Sequence, residues 1–198
     1  MSRQLYLTVR SPFARKVRIL LLSKSLPFEL KTIELAARTP EFYALSPLGK
    51  VPVLIDEDGS VVFDSTVIAE YLEDKYPSPP LFGTGVRERL LHRQLDELAD
   101  TITDQAVALF YAKDTKDPAV LEKPNLLIDR ALHALDLQRQ RGELPQGFGL
   151  GQAALLCALD YVHFRLGKAR TQKHPELVQW AASFAQRPSV LAAPPPTD

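Results

Sequence analysis

The sequence predicts two domains, a small α/β domain followed by an all-α helical bundle, and three observations support this prediction. Short runs with strand alternation are interleaved with helical runs up to residue 77. A proline cluster at residues 77–80 then interrupts the chain, and no strand pattern follows it. The rest of the chain repeats apolar residues at helical spacing. We therefore assign residues 1–77 to the α/β domain, 78–85 to a linker and 86–198 to the helical domain.

The α/β domain is predicted to contain a mixed sheet of four short strands. Leu5, Leu7 and Val9 alternate with polar residues and share one face of the first strand. Further strands are predicted at residues 28–35, 51–55 and 61–63. The Asp58-Gly59 pair between the last two is a strong hairpin signal, so these strands run antiparallel. A right-handed helical crossover makes the first two strands parallel.

Capping residues mark the helices of this domain. Ser11-Pro12 and Thr39-Pro40 each place a hydroxyl cap before a proline at the first helical position. A third helix is predicted to follow Asp64-Ser65 and to end near residue 76. We expect the basic residues of the first helix to face water: Arg15, Lys16 and Arg18.

The helical domain is predicted to contain helices at residues 84–112, 124–141, 150–166 and 175–187. Pro124 should start or kink its helix, because proline lacks the backbone N–H of an interior helical residue. Gly149 and Gln152 form a weak version of a capping box at the start of the third of these helices. The tail, residues 193–198, is expected to be loose or to lie along the surface.

Composition narrows the function classes. The 24 Lys and Arg residues balance 24 Asp and Glu residues, so no global field attracts nucleic acid or an anionic membrane. The one cysteine, Cys157, lies in an apolar run and is expected to be a buried core thiol. The histidines show no metal-ligand spacing, and no run is long and apolar enough for a membrane span. We therefore expect a soluble, cytoplasmic protein with no metal, nucleic-acid partner or membrane association.

Three places in the α/β domain carry candidate chemistry, and each also has an ordinary structural interpretation. Ser11 caps a helix, and the positive end of that helix would also stabilise an anion such as a thiolate. Lys50-Val51-Pro52 begins a strand, and the main chain of Val51 would also pair with a peptide-like ligand. Asp64-Ser65 caps another helix, where Ser65 would bind a ligand carboxylate and Asp64 a ligand ammonium group. A ligand with both groups is an amino acid or the end of a peptide.

The motifs around these residues resemble those of the glutathione transferase family. Ser-Pro-Phe, Gly-Lys-Val-Pro-Val-Leu and Asp-Ser-x-x-Ile-x-x-Tyr-Leu occur in the family's order and spacing. The resemblance covers essentially the whole chain, by motif in the first domain and by layout in the second, and is closest to a bacterial branch and to plant-type classes. It implies a thioredoxin-like N-terminal domain, a helical C-terminal domain, a homodimer and a cis Val51–Pro52 peptide bond.

The resemblance also implies a role for each residue. Ser11 matches the catalytic serine, whose hydroxyl would donate a hydrogen bond to the glutathione sulfur and favour the thiolate. Lys50 and Val51 match contacts to the glycyl end and the cysteinyl main chain, and Asp64 and Ser65 match contacts to the γ-glutamyl group. The thiolate would attack a small hydrophobic electrophile held between the domains, so the protein would transfer alkyl or aryl groups to glutathione. The candidates for the electrophile pocket, with core packing as the alternative for the aromatic ones, are Arg10, Phe13, Phe110 and Tyr111.

Alternatives to conjugation stay open. Serine rather than cysteine at position 11 favours conjugation, but a glutathione-dependent disulfide reductase or isomerase would use the same binding residues. A non-catalytic binding or regulatory protein of the same fold is another alternative, as in stringent-starvation-type relatives. Asp96, Asp100 and Asp104 repeat along one helix face. They form a solvated stripe, or else Asp100 or Asp104 faces glutathione.

Overall fold

The structure is a computed structural model that describes residues 1–34, 36 and 38–197. It divides into two compact units. The first comprises Met1–Leu81 together with Pro188–Pro196, and the second is built on Phe82–Arg187. All the described strands lie in the first unit and the long helices in the second. The predicted combination of a thioredoxin-like α/β region and an all-helical region is therefore confirmed.

Four strands form one mixed sheet in the order β2-β1-β3-β4. β1 (Gln4–Leu7) pairs in parallel with β2 (Glu29–Thr32) and antiparallel with β3 (Val53–Ile55). β4 (Val61–Val62) pairs antiparallel with β3. The strands are shorter than predicted, and Leu35, at the end of the predicted second strand, lies outside the described residues. The mixed four-stranded sheet itself is confirmed.

The described helices follow the chain in two groups. Those of the first unit are α1 (Pro12–Ser23), α2 (Pro40–Leu45) and α3 (Ser65–Lys75). Those of the second unit are α4 (Val86–Tyr111), α5 (Pro118–Gln140), α6 (Leu150–Leu166) and α7 (Pro175–Ala182). The short α8 (Pro188–Leu191) belongs to the first unit again, where it packs against α1.

Local capping signals start the helices of the first unit. Ser11, Thr39 and Asp64 each accept hydrogen bonds from backbone N–H groups of the first helical turn. At the start of α6, the Gly149 N–H donates to Gln152 Oε1 at 3.1 Å, which is the half of a capping box that a glycine cap can form. These helix starts were all predicted, because a cap and its acceptor are close in sequence.

Helix α5 corrects one prediction about the second unit. It begins at Pro118 with Asp117 as its cap, so Pro124 lies inside the helix and does not start it. Asp117-Pro118 is the same pairing of a capping residue and a proline that begins α1 and α2, and it is the local signal for this helix start. Helix α7 also ends earlier than predicted, at Ala182.

One expectation about polar residues is wrong, and the expectation for the tail fails at its first residue. Arg15 is 5% exposed and Lys16 is 1% exposed, although both were expected to face water. Arg15 Nε donates to the carbonyl of Ala193 at 2.8 Å, and Arg18 donates to the carbonyl of Ala192 at 3.3 Å. Ala193 is fully buried, so the tail, which was expected to be loose or to lie along the surface, is anchored on α1 at its first residue, whereas Pro194, Pro195 and Thr197 are exposed. Helical periodicity does not show that a distant C-terminal segment covers the basic face of α1.

Helices α4 and α6 pack closely side by side in the second unit. A Cβ atom added to Gly151, near the start of α6, would lie 2.7–2.8 Å from three side-chain atoms of Leu95 on α4. At the other end of the pair, Phe110 of α4 contacts Arg165 of α6, so the two helices run in the same direction. Cys157 of α6 is 3% exposed, which confirms the predicted core thiol.

Candidate functional site

Three of the predicted site segments meet at one edge of the sheet. In the antiparallel register, Tyr6 lies opposite Val53 and Leu54 lies opposite Val62. The carboxyl ends of β1 and β4 therefore lie beside the amino end of β3, which follows Val51. Because β1 leads into α1 and β4 leads into α3, the amino ends of both helices also lie at this edge. Each helix end carries partial positive charge and unpaired backbone N–H groups.

Ser11 occupies the junction of β1 and α1 and is half-buried. Its Oγ accepts a hydrogen bond from the Ala14 N–H at 3.2 Å, and its own N–H donates to the Thr8 carbonyl at 3.1 Å. A hydroxyl oxygen that accepts in this way still has its proton to donate. Pro12 has no N–H, so the Phe13 N–H is the next backbone donor at this helix end. The cap thus leaves Ser11 able to donate to an anion.

The Val51–Pro52 peptide bond is cis, as the resemblance implied. The buried Ser46 Oγ accepts from the Lys50 N–H at 3.1 Å and donates to the Lys50 carbonyl at 2.8 Å, which holds the chain just before Val51. Arg38 Nε donates to the Gly49 carbonyl at 2.7 Å and holds the same turn. Among the described residues, the N–H and carbonyl of Val51 have no hydrogen-bond partner. Sequence reasoning predicted Val51 but missed Ser46, although the Ser46-Pro47 pair is a turn signal.

Asp64 and Ser65 begin α3 with opposite exposures. Asp64 is exposed, and its Oδ1 accepts from the N–H groups of Thr66 at 3.1 Å and Val67 at 3.3 Å. Its Oδ2 has no partner within the described part of the chain. Ser65 is 3% exposed, and as the first residue of α3 its N–H has no intrahelical acceptor. The start of α3 therefore carries one carboxylate oxygen, Asp64 Oδ2, and one backbone N–H, that of Ser65, to which a ligand could bind.

The predicted pocket residues are divided between the two units. In the first unit, Arg10 is exposed and Phe13 is half-buried. In the second unit, Phe110 is half-buried and Tyr111 is 75% exposed, and their ring centroids are 5.5 Å apart in an edge-on arrangement. Sequence reasoning missed Arg165, whose guanidinium carbon lies 3.8 Å from the centroid of the Phe110 ring. The ring of Phe110 therefore stacks against the guanidinium group of Arg165.

A buried polar network, also unpredicted, stands at the opposite end of β3. Asp56 is fully buried, and its Oδ1 accepts from Arg3 Nε at 2.8 Å. Its Oδ2 accepts from the hydroxyls of Tyr71 at 2.7 Å and Tyr76 at 2.8 Å, and lies 2.9 Å from Lys75 Nζ. Burial alone would raise the pKa of Asp56, but the hydrogen bonds from Lys75, Tyr71 and Tyr76 outweigh it and hold the pKa well below its usual range. The network joins β1, β3 and α3 at the end of the sheet opposite the candidate site.

The aspartate stripe of α4 is not uniformly solvated. Asp96 is 3% exposed, so the solvated interpretation is wrong for that residue, whereas Asp104 is exposed. Within the described ranges, no three side chains of His, Cys, Asp or Glu are grouped as a metal site would require. Of the helices described, none has both the length and the apolar character needed to cross a membrane.

Comparisons with known proteins connect this geometry to a family. Residues 10–75 match the family model described as the N-terminal domain of glutathione S-transferase. Over 195 residues the chain is 34% identical to the Uncharacterized GST-like protein YibF of Escherichia coli (strain K12), covering 94% of this chain and 95% of that protein. The matched segment of the family model includes every predicted site residue of the first unit.

Solved structures give the same result. A crystal structure of a glutathione S-transferase from Methylobacterium radiotolerans, in complex with glutathione sulfonate, covers 100% of this chain and 97% of its own, with 29% identity and a TM-score of 0.90. A glutathione transferase family member from Pseudomonas fluorescens Pf-5, with bound glutathione, covers 99% of this chain and 100% of its own, with 32% identity and a TM-score of 0.88. The chain belongs to the glutathione S-transferase family.

Proposed function

We propose that the protein is a glutathione transferase that binds glutathione at the shared sheet edge and activates its thiol. One observation carries this proposal: the segments that contain Ser11, Val51 and Ser65 meet at one edge of the sheet, where the amino ends of α1 and α3 also lie. The structures of the two similar transferases, one with glutathione sulfonate and one with glutathione, support the choice of ligand.

Each part of glutathione has a chemical counterpart at this edge. The γ-glutamyl carboxylate binds the N–H and hydroxyl of Ser65, and the γ-glutamyl ammonium group binds the second carboxylate oxygen of Asp64. The cysteinyl main chain pairs with the N–H and carbonyl of Val51 as a short added strand. The exposed Lys50 side chain attracts the glycyl carboxylate. Binding in this order places the thiol towards the start of α1.

Thiol activation follows from the position of Ser11. A free thiol has a pKa of about 8.5 and is mostly protonated at neutral pH. The Ser11 hydroxyl donates its proton to the sulfur while its oxygen still caps α1, and the positive end of α1 adds to the stabilisation of the thiolate. The thiolate then attacks the electrophile: an S–C bond forms and the leaving group departs with its electron pair.

The cysteine content favours conjugation over a reductase in which the protein itself forms a disulfide. No cysteine precedes Cys157, and Cys157 is 3% exposed on α6, in the other unit. A protein–glutathione mixed disulfide therefore has no partner at Ser11. Pairing as a homodimer, a cytoplasmic location and a small hydrophobic electrophile as second substrate stay predictions that the family supports.

The thiol pKa of bound glutathione tests the role of Ser11. We expect Ser11→Ala to raise that pKa by about 1 to 2, because a hydrogen bond to a charged acceptor contributes about 1.5–3 kcal/mol. The measurement is the pH dependence of the ultraviolet absorbance of the bound thiolate. Thr39→Ala is the matched control, since it removes the hydroxyl cap of α2 in the same cap-then-proline setting and should leave the thiol pKa unchanged.

Two results would count against the proposal at different levels. An equal thiol pKa in the wild type and Ser11→Ala would remove Ser11 from catalysis while leaving glutathione binding intact. The proposed function as a whole would be overturned if immobilised glutathione did not retain the wild-type protein. It would also be overturned if free glutathione did not elute the retained protein.

A further inference from the structure

Two exposed side chains cover the turn that precedes Val51. The glycine of this turn, Gly49, is buried and has a φ of +61°. A Cβ atom added to it would lie 2.8 Å from Tyr43 Cε1 and 3.1 Å from both Cδ and Nε of Arg38. Both side chains therefore lie against the Cα atom of Gly49, Tyr43 from α2 and Arg38 from the segment just before α2. Lys50, which is also exposed, is the next residue of the chain.

Most of the hydrogen-bonding capacity of Arg38 is unused. Its Nε donates to the Gly49 carbonyl at 2.7 Å, but within the described part of the chain its two terminal nitrogens have no acceptor. No carboxylate of the described residues forms an ion pair with it. The outer edge of a guanidinium carries two parallel N–H groups, and these match the two oxygens of a carboxylate. Arg38 is therefore free to bind a carboxylate while it holds the turn.

Tyr43 and Lys50 add two further donors at the same turn. The Tyr43 hydroxyl is bonded to the carbon next to Cε1, so it lies near Gly49, and Tyr43 is 45% exposed. Among the described residues, neither this hydroxyl nor the Lys50 ammonium group has a hydrogen-bond partner. The turn thus carries two cations and one hydroxyl, with no carboxylate of the described chain paired to either cation. We call Arg38, Tyr43 and Lys50 the Gly49 corner.

Holding the turn explains only one part of this arrangement. A turn needs no charge to be held, since the neutral Ser46 hydroxyl holds Lys50 at the other end of the same turn. The hydrogen bond from Arg38 Nε also orders a long side chain whose terminal nitrogens are then fixed in place. Ordering a donor before its ligand arrives lowers the entropy cost of binding. The Gly49 corner is therefore pre-organised for an anion.

We propose that the Gly49 corner binds the terminal carboxylate of the thiol peptide and that Arg38 determines this specificity. The inference rests on the proposed function, which places the glycyl carboxylate at Lys50, one residue after Gly49. The terminal nitrogens of Arg38 and the Tyr43 hydroxyl donate to that carboxylate, and Lys50 adds a second positive charge. The co-substrate is thereby narrowed to thiol peptides with a free carboxylate at the glycyl end, in preference to their esters and amides.

Two ligands that differ only at this carboxylate test the inference, namely glutathione and its glycyl monoethyl ester. Isothermal titration calorimetry measures the Kd of each, and no electrophile is needed. We expect the wild type to bind glutathione at least about tenfold more tightly than the ester, because the ester keeps the thiol and the γ-glutamyl group but has no charge at the glycyl end. Added salt should weaken the binding of glutathione more than that of the ester.

The variant Arg38→Met separates the two roles of the side chain. Loss of the hydrogen bond to the Gly49 carbonyl loosens the turn and weakens both ligands alike, whereas loss of the charged edge weakens only glutathione. We expect the ester-to-glutathione ratio of Kd to fall by about 5- to 10-fold. Tyr43→Phe keeps the ring against Gly49 and removes only the hydroxyl, so it should lower the ratio by about 2- to 5-fold. Arg130→Met is the control, since it removes the same charge from an exposed position of α5 and should leave the ratio unchanged.

The possible results separate this inference from the proposed function. An unchanged ratio in Arg38→Met, or in Tyr43→Phe should Arg38→Met fail to fold, would overturn the inference, because these side chains would then only hold the turn. Equal binding of glutathione and its ester by the wild type would also overturn it and would leave the proposed function intact. Binding of neither ligand by the wild type would contradict the proposed function, and the inference with it.

Discussion

Gly151 allows a direct test of how closely α4 and α6 approach each other. In Gly151→Ala the new Cβ would lie 2.7 Å from Leu95 Cδ2 and 2.8 Å from Leu95 Cβ and Cγ, well inside van der Waals contact. Leu95 is 1% exposed, and its Cβ cannot move by rotation of the side chain. The helices must therefore separate locally, which also lengthens the hydrogen bond from the Gly151 N–H to His92 Nδ1 at 3.4 Å.

The magnitude follows from two opposing effects. Overpacking of a core costs about 1–3 kcal/mol, whereas alanine is favoured over glycine in a helix by up to about 1 kcal/mol. The steric cost exceeds the gain, so we expect a net loss of about 1–2 kcal/mol in the free energy of unfolding. For a chain of this length, each kcal/mol lowers the melting temperature by about 2–4 °C, which gives a decrease of about 2–8 °C.

Differential scanning calorimetry and urea unfolding measure this effect. Gly147→Ala is the control, since a Cβ at Gly147 meets nothing within 4 Å, and it should change the free energy of unfolding by less than about 0.5 kcal/mol. A Gly151→Ala protein that melts at or above the wild-type temperature would refute the close packing of these helices.

Two further predictions concern the first unit. Asp64→Asn should raise the KM for glutathione by about tenfold or more, because asparagine has no charge to pair with the proposed ammonium group of the ligand. The melting temperature should change little, because asparagine caps a helix as well as aspartate does. The control Asp117→Asn, at the cap of α5, should leave that KM unchanged. The second prediction is a loss of stability as the pH falls below about 4. The folded-state pKa of Asp56 lies below its unfolded value, so the unfolded chain binds more protons there. Urea unfolding at neutral and acidic pH should show this loss and a weaker pH dependence in Asp56→Asn, and equal dependence in both proteins would contradict the role of the network.

The candidate site could be predicted because its signals are local and lie in short motifs. Ser11, Val51, Asp64 and Ser65 each mark a strand end or a helix start, and such positions depend on neighbouring residues. What could not be predicted is how those ends are held. The Ser46 hydroxyl forms hydrogen bonds with both the N–H and the carbonyl of Lys50, and Arg3 pairs with Asp56, which lies 53 residues away in the sequence.

The sequence by itself determined the type and order of most elements and the residues at their ends. Capping pairs, the Asp58-Gly59 turn and apolar periodicity are properties of adjacent residues, so they are present before the chain folds. Only the tertiary structure decided which polar residues are buried and with what partners. Arg15 donates a hydrogen bond to the carbonyl of Ala193, and Arg165 stacks on Phe110. In both cases folding brings together segments that are distant in the sequence, and helical periodicity cannot relate them. A charged side chain on a helix has the same pattern in the sequence whether it faces water, a distant carbonyl or an aromatic ring.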